Sequence, residues 1–198
     1  PAPMMTQQVH EQVMREIMLP TVAGMHADGM AYRGFLYAGL MINAKTGAKV
    51  LEFNCRFGDP ETQPVLARLR SDLAELCLRT FDGSLETAEV DWDPRVALGV
   101  VMASGGYPGN YNKGAKITGL ENIFDENTKI FHAGTRLDSE DIVTSGGRVL
   151  CVVSLDNNVS GAANRAYTTV GQISWEDVFY RGDIGYRAID RERAEGAV

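Results

Sequence analysis

The sequence predicts an α+β protein in two parts, and three observations carry that prediction. A strand–turn–strand unit early in the chain gives way to a long helical pattern. A second half is dominated by short valine-rich strands with a single late helix. Strands and helices do not alternate regularly, so a doubly wound parallel sheet is not expected. The division runs over residues 1–90 and 93–198, the second part a small, mixed, β-rich lobe.

Composition bounds the function before any motif is read. At 198 residues, 44% hydrophobic and 23% charged, the chain has the makeup of an ordinary globular protein. A formal net charge of −7 argues against general nucleic-acid binding, which depends on clustered Lys and Arg. A small phosphorylated ligand stays open, because a few local cations and one metal ion can reverse the sign of a pocket. No apolar run approaches the roughly 20 residues that a membrane span needs, so no membrane partner is expected, and nothing resembles a secretory leader. Cys55, Cys77 and Cys151 are widely spaced and unpaired in number, which reads as buried free thiols in a reducing cytoplasm. The opening "PAPMMT" reads as the middle of a longer chain.

Thr6 is a reasonable N-cap for a helix whose Val9, Val13, Met14, Ile17 and Met18 recur at helical spacing. Pro20 ends that helix or opens a short continuation to Met25. Residues 34–43, "GFLYAGLMIN", carry almost no polar side chain and predict a strand buried on both faces. The turn "AKTGA" returns the chain into "KVLEFNCRF", which completes a β-hairpin. From Thr62 or Pro64 a helical stripe of Val65, Leu66, Leu69, Leu73, Leu76 and Cys77 continues toward Leu85, with Gly83 as its stop. The polar stretch 86–95, "ETAEVDWDPR", is the candidate linker.

In the second part, 95–104, 128–137 and 146–155 predict strands, 115–120 a short extended piece, and 159–173 a helix. Residues 175–189 close the chain. Ser104–Gly114, "SGGYPGNYNKG", is no phosphate loop, since no helix follows and Lys113 precedes Gly rather than Ser or Thr. It reads as a turn-rich connection or as one wall of a cleft. His132 reads as a hydrogen-bonded structural residue, His10 and His26 as surface or structural ones. The acidic run 138–141 reads as a solvated loop.

One stretch asks for more than a strand and a turn. In 50–63, "VLEFNCRFGDPETQ", the two-residue period places Glu52, Asn54 and Arg56 in one row, about 6.5 Å apart, and Leu51, Phe53, Cys55 and Phe57 in the opposite, core-facing row. Carboxylate and amide oxygens suit a hard cation such as Mg²⁺, and the guanidinium fork suits phosphate oxygens. Together they could hold a metal-bridged triphosphate. The same alternation also fits the solvated face of an edge strand. Gly58 allows the bend that follows, Asp59 can cap, and Pro60 is preset for a first helical position. Asp59 and Glu61 could hold an amine or ribose hydroxyls.

This run, with "GFLYAGLMI" before it and "LGVVMASGGYPGNY", "FHAGT" and "GGRVLCV" after it, resembles the phosphoribosylamine–glycine ligase family (glycinamide ribonucleotide synthetases), ATP-grasp enzymes of purine biosynthesis. The resemblance implies that residues 1–90 are the second half of an ATP-grasp domain and 93–198 the family's C-terminal domain. It implies ATP-dependent joining of glycine to 5-phosphoribosylamine through a glycyl phosphate in the cytoplasm, giving glycinamide ribonucleotide, ADP and phosphate. By resemblance Glu52 and Asn54 are ligands of Mg²⁺ or Mn²⁺, and Arg56 is the catalytic residue that steadies the γ-phosphate and acyl-phosphate charge. Asp59 and Glu61 are placed on the amine and ribose side as substrate-binding residues. The family's N-terminal substrate domain, glycine-rich phosphate loop and ATP-gripping lysines have no counterpart here, so ATP contacts within this chain are not assigned. The chain is expected to be the C-terminal half of an enzyme about twice as long, inactive without its N-terminal half. The alternatives are another ATP-grasp carboxylate–amine ligase and a noncatalytic binding module on the same scaffold.

Overall fold

The computed structural model describes residues 5–43, 47–122 and 125–195. The turn expected at "AKTGA" falls largely outside them. Residues 1–59 and 71–91 form one compact unit, and 60–70 with 92–198 form another.

In the first unit, α1 (Gln7–Val13) begins where Thr6 Oγ1 accepts a hydrogen bond from Val9 N at 3.3 Å. A π-helical turn, Met14–Met18, leads into α2 (Leu19–Ala27), and Leu19 N reaches back to Met14 O. Pro20 explains the widened turn: it lacks an N–H, and its ring crowds the carbonyl four residues earlier. The helix therefore continues through the proline. Strands β1 (Tyr37–Asn43) and β2 (Gly47–Asn54) pair antiparallel, Gly39 opposite Glu52 and Tyr37 opposite Asn54, with a register shift between Gly39 and Leu40.

Two expectations fail in this hairpin. Strand β1 is half-buried at first and exposed over Met41–Asn43 rather than buried on both faces. In the row opposite Glu52, Leu51 is 65% exposed, and Phe53 and Cys55 are exposed as well, so of the three thiols expected to be buried Cys151 is, Cys77 is half-buried and Cys55 is not. The reason is architectural. These two strands make a sheet of their own, and among the described residues no second layer covers that face.

The single helix expected from residue 62 onward is two. Helix α3 (Thr62–Ala67) holds Pro64 at its third position, where the missing N–H leaves no intrahelical bond unmade. Helix α4 (Leu73–Asp82) belongs to the first unit. Asp72 caps it, accepting from Ala74 N at 2.7 Å and Glu75 N at 3.2 Å, and Gly83 ends it at φ 82°.

The second unit is built on a four-stranded antiparallel sheet in the order β4–β7–β3–β8. Its members are β3 (Val96–Ser104), β4 (Thr128–His132), β7 (Arg148–Asp156) and β8 (Val178–Tyr180); β5 (Thr135–Asp138) and β6 (Asp141–Thr144) form a separate hairpin. The expected strand 128–137 thus breaks at Ala133–Gly134 into β4 and β5.

Side chains of Val100, Met102, Leu150 and Val152 join Ala162, Ala166 and Val170 of α5 (Val159–Val170) in one core. On the alternate positions, Gly99 faces Cys151, Val153 and Pro64 of α3. Cover from helices on both faces explains why β7 is nearly all buried. Helix α6 (Tyr186–Glu195) closes the unit, and its Glu192 accepts from Val159 N and Ser160 N at 2.6 and 3.1 Å, capping α5 from a distance.

The stretch expected as a linker contains the boundary between the units: residues 86–91 belong to the first, and residues 92–95 are built into the second. Asp93 is only 5% exposed and receives Arg95 through its Nε at 3.0 Å and Nη2 at 2.7 Å, and Arg70 Nη2 at 3.2 Å. Arg68 donates to the Asp93 carbonyl, and Leu69 bridges Trp92. Segment 60–70 is thereby clamped to the sheet domain.

Candidate functional site

Strand β2 brings Glu52 and Asn54 together, as the two-residue period demands. Asn54 Nδ2 donates to Glu52 Oε1 at 3.0 Å. Opposite them Gly39 matters, because a Cβ there would stand 3.2 Å from Glu52 Cγ. The missing side chain gives the Glu52 stem room to lie across the neighbouring strand. With the Asn54 amide hydrogen committed to Glu52, its Oδ1 and the second carboxylate oxygen remain as two hard oxygen donors on one edge. That donor set fits a small divalent cation that takes few protein ligands and completes its shell with water and phosphate oxygens.

Arg56 does not extend the row. The strand ends at Asn54, and residues 55 and 56 lie in a bend. The Arg56 Nη1 donates instead to Phe57 O at 2.8 Å. Beneath the bend, the Phe57 ring stacks on Phe35 with centroids 3.9 Å apart, and the Tyr32 hydroxyl donates to Phe35 O at 2.7 Å. Burial, then the adjacent Cys55 thiol, pushes the Tyr32 phenol above its ordinary value. An aromatic footing therefore fixes where the bend leaves the strand, while the Arg56 side chain stays exposed.

Asp59 is an exposed turn residue that ends the first of the two segments of the first unit. Glu61 belongs to the second unit, as the N-cap residue of α3; its carbonyl accepts from Val65 N at 3.2 Å, and it makes no side-chain cap. Of the five residues singled out by sequence, the fold thus joins Glu52 to Asn54 directly. His132, exposed, pairs its Nδ1 with Thr135 Oγ1 at 3.0 Å across the β4–β5 corner, a structural contact. Among the described residues no cluster of three or more His, Cys, Asp or Glu forms a ready-made metal cage.

Sequence reasoning missed Gly39 and Asp93. The bulged strand pair hid the first. The second had a signal, an acid within two residues of Arg95 in "DWDPR", which reads equally well as solvated linker.

The arrangement defines a class first. A two-stranded hairpin carrying acid and amide, flanked by helices and followed by an antiparallel lobe, matches ATP-grasp proteins. A biotin carboxylase from Campylobacter jejuni superposes over 92% of this chain and 40% of its own with TM-score 0.61, at 12% identity, a likeness of fold alone. The family is narrower. The phosphoribosylglycinamide synthetase ATP-grasp (A) domain profile matches residues 1–62, and the profile of that synthetase's C domain matches 97–187.

Phosphoribosylamine–glycine ligases from Vibrio vulnificus and Escherichia coli K12 are 56% and 54% identical over 98% of this chain. The crystal structure of the Thermotoga maritima phosphoribosylamine–glycine ligase aligns with TM-score 0.77 and 32% identity over 90% of the chain and 44% of its own. The chain belongs to the phosphoribosylglycinamide synthetase family. It spans 45% of the length of the Vibrio and Escherichia relatives.

Proposed function

We propose that this chain supplies the metal-facing hairpin and the C-terminal domain of a phosphoribosylamine–glycine ligase acting in the cytoplasm. The observation that carries the reading is the Glu52–Asn54 pair, two oxygen donors held side by side on a strand of a chain 56% identical to a ligase of that name. Among the described residues no helix is long and apolar enough to cross a membrane.

In the reaction, a carboxylate oxygen of glycine attacks the γ-phosphorus of ATP, the bond to ADP breaks, and glycyl phosphate forms. The amine of 5-phosphoribosylamine then attacks the glycyl carbonyl carbon, loses a proton, and expels phosphate. Glu52 and Asn54 would hold Mg²⁺ or Mn²⁺, which when bound neutralises the triphosphate. Arg56 swings from the Phe57 carbonyl to the transferring phosphoryl group, and its exposure makes that motion cheap. Asp59 and Glu61 would serve as binding groups for the amine and ribose hydroxyls of the substrate. The remaining ATP contacts, with the phosphate loop and its lysines, come from the part of the relatives that this chain does not span, so the chain alone is inactive.

The test pairs this chain with a separately produced N-terminal half of a relative and follows ADP release. Turnover that requires both glycine and phosphoribosylamine supports the reading; turnover with another carboxylate or amine assigns a different ATP-grasp ligase. Turnover with neither points to a binding module. In the paired enzyme Glu52→Gln is expected to cut turnover about 100-fold or more while leaving the melting temperature within about 1 °C. Near-parental turnover would remove the metal role from Glu52.

A further inference from the structure

Strand β2 sets the place of Glu52 and Asn54 but not that of Arg56. The ladder ends at the Tyr37–Asn54 pair, and among the described residues Cys55, Arg56 and Phe57 make no backbone–backbone hydrogen bond beyond it. A segment without such bonds belongs to the mobile end of a structure unless its side chains are gripped.

Both neighbours of Arg56 are gripped, and by one short loop of the same unit. The Phe57 ring lies on Phe35 with centroids 3.9 Å apart and planes at 29°. On the other side of Arg56 the Cys55 thiol stands beside the Tyr32 hydroxyl. The gripping loop is itself closed: the Tyr32 O–H donates to Phe35 O at 2.7 Å, and Gly34 turns the chain between them at φ 130°, a conformation that L side chains rarely adopt. Two residues after Phe35 the chain enters β1 at Tyr37, the partner of Asn54. The loop therefore takes hold of the chain just where the ladder lets go.

The stack is poorly placed to serve as core. Phe35 is 39% exposed, so the pair removes much less apolar surface from water than two buried rings would. What it does supply is one defined conformation for the exit from β2. Arg56 is exposed, and its Nη1 rests on the carbonyl of the gripped Phe57 at 2.8 Å. That is a free arm on a held shoulder. A long side chain reaches a reacting group reproducibly only when its Cα is fixed, and small misplacements there are costly in rate.

We infer that Tyr32 and Phe35 are positioning residues, which hold the main chain on both sides of Arg56 so that its guanidinium swings from a fixed pivot. Resting on the proposed ligase reading, the target of that swing is the transferring phosphoryl group. Neither Tyr32 nor Phe35 is asked to touch substrate.

Amide-relaxation NMR of the 198-residue chain reads the pivot. The backbone order parameter of Arg56 is expected at about 0.85 in the parent and below about 0.6 in Phe35→Leu, which removes the stack, with Leu51 and Glu52 unchanged. Phe35→Tyr keeps a ring and should keep the order. Tyr32→Phe removes one hydroxyl without touching the fold and should loosen Cys55; no change there overturns the part given to Tyr32. A mobile Arg56 in the parent, or an ordered one in F35L, overturns the clamp.

The chain paired with the N-terminal half of a relative reads the role. F35L should lower kcat about tenfold or more and leave KM for ATP within about twofold, as expected when an interaction made only in the transition state is weakened. The loss must run through Arg56, so in an Arg56→Ala background F35L should cost less than about twofold further. A stack that is merely structural would cost the same in both backgrounds, and that additive result overturns the positioning role, as does parental kcat in F35L. Parental turnover in R56A, or none in the parental pair, removes the phosphoryl-group role of Arg56 and the positioning role with it. Turnover that is lost in Glu52→Gln but untouched by F35L overturns the positioning role alone and leaves the ligase reading standing.

Discussion

Replacing Asp93 by Ala is the sharpest probe of how the second unit is held together. The carboxylate is nearly buried and receives the Arg95 backbone N–H at 2.9 Å, its Nε and Nη2, and Arg70 Nη2. Removing one partner of a fully buried ion pair costs about 3–5 kcal/mol. Here the Arg95 and Arg70 side chains are 34% and 52% exposed, so water recovers part of the loss. What remains is the loss of charge-assisted hydrogen bonds and one stranded backbone N–H, about 2–3 kcal/mol. For a unit of this size that lowers the melting temperature by about 5–10 °C.

The pH dependence has a definite sign. The Arg95 guanidinium, first among several causes, holds the Asp93 carboxyl well below the usual carboxylate range. A depressed folded value means the stabilisation is complete above the unfolded value of about 3.9 and is lost as pH falls below it. Calorimetry of parent and D93A should therefore show a gap that is constant near neutrality and closes on acidification below about pH 4. Hydrogen exchange should quicken at Leu66–Leu69, whose segment Arg68 and Arg70 tie to residue 93. A melting temperature within about 1 °C of the parent, or a gap that widens in acid, would refute the clamp.

Three further outcomes follow from the same structure. Gly119 sits at φ 86°, where a Cβ would clash with Gln172 O, so Gly119→Ala should cost about 2–4 kcal/mol in urea unfolding; a cost below about 1 kcal/mol would mean that the backbone gives easily. Glu192→Ala should lose about 1–2 kcal/mol and fray the first turn of α5, visible as faster exchange at Val159 and Ser160 N–H. Thiol labelling should modify exposed Cys55 first, half-buried Cys77 next and Cys151, at 2% exposure, only on unfolding; early reaction of Cys151 would contradict the sheet core.

The elements legible in the sequence are those whose burial is decided locally. Strands β3 and β7 announce themselves as unbroken apolar runs because helices lie on both of their faces, and Thr6 and Gly83 mark helix ends because the orphan N–H and C=O groups need them there. Burial of the hairpin was misjudged for a physical reason. Alternation reports which residues share a face, and it says nothing about whether a second layer meets that face; Leu51 and Phe53 have the pattern of a core without the cover. The break between α3 and α4 was invisible for a different reason. Its apolar stripe runs on through residues 68–72, and what interrupts the helix is the attachment of Arg68 and Arg70 to Asp93, 25 and 23 positions along the chain.

The same distinction governs the sites. Glu52 and Asn54 lie two apart on one strand, so their contact follows from local geometry. Arg56 leaves the row because the strand stops first, an event set by the Phe35–Phe57 stack and not by the residues of the row. A half-open cavity lined by Ser104, Lys113, Thr144 and Asp177 gathers three loops that only the sheet brings together. Of these, "SGGYPGNYNKG" was the one stretch to hint at a wall. Its glycines have a definite role, since Gly105 and Gly106 permit backbone approaches that a Cβ would block. Reading such a loop by motif asks whether it cradles phosphate; reading it by what its glycines let in asks which second loop comes close. Here that second question leads to Asp177, whose backbone carbonyl approaches Gly105 where a Cβ would not fit.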